Sequence, residues 1–224
     1  MTEAPEAVVE YWDARARLGY DSQPGQDPAR ALWAERVGPL VSDVVGRGAE
    51  VLDSGCGTGF LARLFAADGH RLTGQDVSAG MLAVAAERGA AEGLGIRWEL
   101  GQSDRPPRGP FDAVVSRNVL WTLPDARQAV SAWARVLRPG GLLLLTDARW
   151  DSTASSDAAA EERFRESYSD TAEQLPMGYD FAACRELVAR AGLVDIADRT
   201  SVFDDVPYPS APGFFVLTAR APRR

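Results

Sequence analysis

The sequence predicts an α/β fold built on a doubly wound, mostly parallel, seven-stranded sheet. Three observations predict it. Short apolar runs that end in turn residues alternate with segments of helical period from residue 50 to 147. The first run, Val51-Leu52-Asp53, passes straight into a glycine-rich turn, SGCGTG. The chain is 46% apolar over 224 residues, enough to cover both faces of such a sheet.

The elements follow in order. Residues 3–18 predict a helix carrying Val8, Val9, Trp12 and Leu18, and 29–45 a second with Leu32, Trp33, Val37, Leu40, Val41 and Val44. GYDSQPGQDP between them is a loop by its Gly, Pro, Asp and Ser content. EVLDSG is a buried strand, LARLFAADG a helix, HRLTGQDVS a strand, MLAVAAERGAAEG a helix, and IRWELGQ and FDAVVSRNV two further strands. ARQAVSAWARVL steps its apolar positions by three and four, and RPGGLLLLTD turns into a buried strand. Such alternation implies right-handed crossovers, with ligands bound outside the carboxyl ends of the strands. Residues 148–180 break the rhythm as a loop plus one helix. FAACRELVARAGL then resumes as a helix, followed by strands LVDIADRTSV and GFFVLTAR, the last expected to run antiparallel. The whole reads as a single domain: an N-terminal helical cap (1–48), a ligand-binding core (49–147), an insertion over the active edge (148–180), and a C-terminal helix and strands (181–224).

Charge and composition narrow the function. The net charge is −8, which argues against nucleic acid as a partner. All 24 basic residues are Arg, a compositional bias that gives no single surface Arg much weight. Cys56 and Cys184 are expected as free thiols in a reducing compartment. No apolar run approaches the ~20 residues of a membrane span, and MTEAPEAVVE lacks an apolar signal core. A cytoplasmic protein, monomeric or homodimeric, is expected. With no His pair and no Cys cluster, no metal site is expected.

The glycine loop carries the chemistry. Glycine inside an element costs about 0.5–1 kcal/mol relative to alanine, so glycines at 55, 57 and 59 call for a ligand pressed against the main chain. The spacing Asp53-x-Gly-x-Gly-x-Gly departs from a dinucleotide fingerprint, since position 60 is Phe, and it lacks the Lys of a phosphate loop. Asp76, ending the next strand, suits a sugar diol, because a carboxylate accepts from both hydroxyls. Asp53 suits a positively charged amino group. An adenosyl group joined to an amino acid satisfies both.

VLDSGCGTG, followed by GQDVSAGML, FDAVVSRNVLWTLPD and RVLRPGGLLLL, resembles the class I S-adenosylmethionine-dependent methyltransferases of the small-molecule type. The four blocks occur in that family's order. The resemblance implies a Rossmann-like core, S-adenosylmethionine as cofactor with S-adenosylhomocysteine as product, and a small-molecule acceptor, with natural-product biosynthesis as the expected setting. It implies that Asp53, Ser54, Gly55, Cys56 and Gly57 surround the methionine portion and that Asp76 takes the ribose. Val77 and Met81 fall beside the adenine. Gln102, Ser103 and Asp104 share the place of the contact to the adenine amine, and Arg117 lies past the fourth strand by the methionine portion. Tyr20 falls where relatives reach the cofactor carboxylate.

Trp121, Arg149, Trp150, Tyr168 and Tyr179 are candidates for the acceptor, and Tyr20 or Asp147 for a base where a proton must leave. Trp12, Trp33 and Trp133 are expected in the core, and His70 on the surface at the opposite end of the sheet. DRPPR at 104–108 is expected as a loop. Three rival functions share the fold: a non-methylating enzyme on the same cofactor (a cyclase or decarboxylase), a non-catalytic binding module and an NAD-dependent dehydrogenase.

Overall fold

The computed structural model describes residues 6–17, 26–149, 178–205 and 213–223. Helices α1 (Glu6–Arg17) and α2 (Gln26–Val45) come first. The alternating region runs β1 (Glu50–Ser54), α3 (Phe60–Ala67), β2 (Arg71–Asp76), α4 (Ala79–Ala91), β3 (Arg97–Leu100), β4 (Phe111–Arg117), α5 (Ala126–Val136) and β5 (Leu137–Asp147). A single 3-10 turn, Leu120–Thr122, joins β4 to α5. The chain continues through α6 (Phe181–Arg190), β6 (Val194–Asp198) and β7 (Phe215–Arg220).

Among the described residues the sheet has seven strands in the order β3-β2-β1-β4-β5-β7-β6. The first five are parallel, and β7 lies antiparallel to both β5 and β6. The last strand therefore sits inside the sheet. Its residues show why: Phe215 to Ala219 are buried throughout, while β6 is exposed or half-buried along its length, as an edge strand must be. β6 also ends at Asp198, short of the expected Val202, because Thr200–Val202 closes a 3-10 turn against β7.

Strand side chains alternate faces, and the two cores record it. On one face Val51, Ala113, Val115, Leu142, Leu144 and Val216 pack under α2 and α3, with Trp33, Phe60 and Phe65. On the other Leu52, Val114, Leu143, Leu145 and Leu217 pack under α5 and α6, with Trp133, Cys184 and Val188. Trp33 and Trp133 are fully buried, as expected. His70 corrects the surface expectation. It is only 5% exposed: its Nε2 lies 2.9 Å from Ser42 Oγ, and burial lowers its pKa despite Asp68.

The chain order reverses between β1 and β4, which places the crevice at the carboxyl tips of β1, β2 and β4. Most of the insertion lies outside the described residues. Its two ends meet where Arg149 bridges Gly178. Among the described residues no helix is long and apolar enough to cross a membrane.

Candidate functional site

The crevice opens between the glycine loop after β1, the tip of β2, the loop after β3 and the turn after β4, with α1 across it. It encloses about 1160 Å3, counted with its open mouth. The N–H groups of Gly55 and Cys56 both donate to Gln75 O (2.8 and 2.9 Å), which folds the glycine loop over β2.

The three glycines have different reasons. A Cβ on Gly55 would lie 2.3 Å from Val119 Cγ2, and one on Gly59 would lie 2.9 Å from the Trp98 indole. Both are glycines because protein atoms crowd them. A Cβ on Gly57 would meet nothing within 4 Å, yet Gly57 has φ +54° and lines the crevice. There an added side chain would enter the crevice and not the protein.

Asp53 is 1% exposed, and its Oδ2 accepts from Ala62 N at 2.8 Å. Gly59 is the N-cap of α3 and has no side chain to offer, so Asp53 caps α3 from the strand tip. Burial pushes its pKa up to about 7, against the pull of the Ala62 N–H and the Arg117 guanidinium. The carboxyl of Asp76 takes Gly57 N on Oδ2 (2.8 Å) and Ser78 N on Oδ1 (2.9 Å). Burial raises its pKa, those N–H groups lower it, and Asp13 adds to the rise. Hydrogen-bond donors or a cation in the crevice would favour the ionised form of both acids.

Past β3, Gln102, Ser103 and Asp104 all line the crevice. Oδ1 of Asp104 is buried with no hydrogen-bond partner among the described residues. At the end of β4, Arg117 lays its guanidinium 3.9 Å over the Phe60 ring. Asn118 follows at φ 58°, a left-handed conformation that Asn tolerates better than most residues, and its buried Oδ1 also lacks a partner among the described residues. Bare main chain at Gly57, a carboxylate pair and two unpartnered acceptors fit a ligand with a diol, an exocyclic amine and a cationic end.

The structure thus brings Asp53, Gly55, Cys56, Gly57, Asp76, Val77, Met81, Gln102, Ser103, Asp104 and Arg117 around one crevice. Ser54 is a correction: it is fully buried and its Oγ accepts from Trp133 Nε1 at 3.0 Å, on the α5 side. Asp147 is another. Its carboxyl is fully buried, accepting from Leu120 N and Ala148 N, and it does not line the crevice; it anchors the turn after β4 rather than acting as a base. Trp121 is 7% exposed, donates to Asn118 O and supports the wall from behind. Tyr179 packs with the α5–α6 core, and Arg149 is exposed beside Gly213; neither lines the crevice. Tyr20, Trp150 and Tyr168 lie outside the described residues.

Sequence reasoning missed Val8, Trp12 and Asn118, and, in the segment from Leu123 to Ala129, Leu123, Pro124, Asp125, Gln128 and Ala129, all of which line the crevice. Trp12 corrects the core expectation; its helical spacing shows that it is covered, but not that the cover is shared with a ligand. Asp125 of that stretch is the N-cap of α5. Partial burial opposes ionisation there, but hydrogen bonds from Gln128 and Arg127 hold its pKa below the ordinary value.

Known proteins resemble this chain in sequence and in fold. Residues 52–145 match the family described as "Methyltransferase domain". A ubiquinone biosynthesis O-methyltransferase of Xylella fastidiosa is 31% identical over 132 residues, covering 57% of this chain and 53% of that one. The chain thus spans about half the length of the curated relatives it matches. Among solved structures, the [4+2]-cyclase SpnF superposes with a TM-score of 0.68 at 21% identity, over 99% of this chain and 98% of that one. The phosphoethanolamine N-methyltransferase 2 of Haemonchus contortus, solved with phosphomonomethylethanolamine and S-adenosylhomocysteine, does so with a TM-score of 0.62 at 22% identity, over 85% and 53%. These two likenesses establish the fold. Residues 52–145 are thus similar to a methyltransferase domain, and the chain shares the fold of solved methyltransferases.

Proposed function

We propose that this chain binds S-adenosylmethionine in the crevice and transfers its methyl group to a small-molecule acceptor. The observation that carries the reading is the joint position of Gly57 and Asp76: bare main chain and a carboxylate, hydrogen-bonded to each other, face one cavity. Asp76 takes the ribose diol. Asp104 accepts from the adenine amine, with Met81 and Val77 against the ring. Asp53 and Arg117 receive the ammonium and carboxylate of the methionine end.

The cofactor supplies an electrophilic methyl on a sulfonium, so the protein's main task is to orient the acceptor. Holding two reactants in line is worth roughly 7–11 kcal/mol. Val8, Trp12, Leu123 and Pro124 provide an apolar slot for that purpose, and Asn118 Oδ1 offers an acceptor to an incoming O–H or N–H. Among the described residues no histidine lines the crevice, and the single His70 lies at the other end of the sheet. An acceptor that is already nucleophilic suits this lining. The O-methyltransferase names of the relatives favour an oxygen nucleophile, and natural-product biosynthesis remains part of the proposal.

Titration calorimetry with S-adenosylhomocysteine and with NAD tests the cofactor, and a labelled-methyl assay across a metabolite panel tests the transfer. Tight NAD binding with none of S-adenosylhomocysteine would overturn the reading. A second reading, a non-methylating enzyme on the same cofactor, is supported by the full-length likeness to the cyclase SpnF. Product mass separates the two, because methylation adds one CH2.

A further inference from the structure

α1 meets α4 in an unusually direct way. Asp13 Oδ1 accepts from Ser78 Oγ at 2.5 Å and from Gly80 N at 2.8 Å, at the first turn of α4. A carboxylate there faces the positive end of the helix. Gly80 is helical, so its backbone does not require glycine. Space is tight: a Cβ would stand 3.0 Å from Asp13 Oδ1, 3.2 Å from Asp13 Cα and 3.4 Å from Ala16 Cβ, so an added methyl pushes on α1.

The same contact reaches the crevice by two routes. Ser78 N donates to Asp76 Oδ1, so the residue that binds Asp13 also holds the crevice carboxylate. On α1 itself, Val8 and Trp12 line the crevice, and Trp12 stands edge-on to Trp121 with ring centroids 6.1 Å apart. One helix therefore covers the cavity and is fastened to the wall that carries Asp76.

We propose that Asp13 is a positioning residue for the cofactor: its clasp on Ser78 and Gly80 keeps Val8 and Trp12 over the crevice and sets the residence time of the bound nucleoside. The inference rests on reading the crevice as an S-adenosylmethionine site. Movement of α1 away from α4 widens the way out of the crevice, so the clasp acts on dissociation more than on the methyl-transfer step.

The test measures S-adenosylhomocysteine dissociation by stopped-flow tryptophan fluorescence and hydrogen exchange of the α1 amides, with and without that ligand. Calorimetry on the unaltered protein comes first, because its failure to bind would overturn the functional reading and this inference with it. Given binding, Asp13→Ala and Gly80→Ala each raise the dissociation rate about tenfold and expose α1 to exchange even in the free protein. The double variant is no worse than the poorer single, since both break one contact. Asp13→Asn keeps an acceptor and falls between, which preserves the test if Asp13→Ala does not fold. Glu10→Ala, an equal charge change on an exposed position of the same helix, behaves as the parent. Dissociation rates within about twofold of the parent in both clasp variants would overturn the proposal, even if α1 exchange increased.

Discussion

The main-chain N–H of Gly57 donates to Oδ2 of Asp76 at 2.8 Å, joining the glycine loop after β1 to the carboxylate that ends β2. The bond fixes where the main chain turns bare and aims the remaining lone pairs of the acid into the crevice. Each of the following expectations depends on that geometry or on its supports.

Asp76→Asn keeps the size and one oxygen of the side chain but loses the charge that a diol's hydroxyls need. Binding of S-adenosylhomocysteine is expected to weaken at least about tenfold. The melting temperature should fall as well, because Oδ1 and Oδ2 each accept a main-chain N–H, from Ser78 and Gly57, and the amide's NH2 can accept neither, which costs about 1–3 kcal/mol. Calorimetry and a thermal melt on the same preparation check both halves.

Gly57→Ala and Gly59→Ala should separate binding from stability. At Gly57 an added methyl meets no protein atom and enters ligand space, so affinity falls while stability loses only about 1 kcal/mol of left-handed strain. At Gly59 the methyl pushes on Trp98, so the denaturation midpoint drops further. Equal loss of affinity with equal loss of stability would contradict this division.

Asp53 sets a pH dependence. Its pKa is about 7 folded and 3.8 in the reference state. The folded protein thus holds this proton more tightly, and Asp53 makes stability fall as pH rises from about 4 to 7. Asp53→Asn is expected to melt higher than the parent at about pH 8, with a smaller gain at about pH 5. Affinity for a cationic ligand should rise through about pH 7 in the parent and stay flat in the variant. Melts and titrations at the two pH values suffice.

Asp104 Oδ1, buried without a partner among the described residues, is expected to read the nucleobase. Asp104→Asn should narrow the preference for S-adenosylhomocysteine over its inosine analogue, because an amide can donate to the ring oxygen that replaces the amine. Competition titration gives the ratio directly. An unchanged ratio would return the role to Gln102 or Ser103.

Trp133→Phe should leave the crevice intact and cost stability. The lost indole N–H strands a buried Ser54 hydroxyl, worth about 1–3 kcal/mol. Denaturant unfolding reads the loss, and ligand affinity should stay within about twofold.

What the sequence determined by itself was periodicity and punctuation. Alternation of Val51-Leu52 and of Ala113-Val114-Val115 between faces, the three-and-four spacing of α5, and the acids at the strand tips are local properties, and they placed the parallel core and many of the crevice-lining residues. Tertiary structure decided what each side chain faces. A strand position with buried neighbours can point to helix or ligand, and Ser54 turned to Trp133 while Asp53 lines the crevice. Trp12 and Val8 have core spacing, yet their partner across the gap is a cavity, because α1 docks through Asp13 on a glycine 67 positions away. Contacts that distant leave no periodic trace in the chain. They arise only once the sheet has brought the tips of β1, β2 and β4 together.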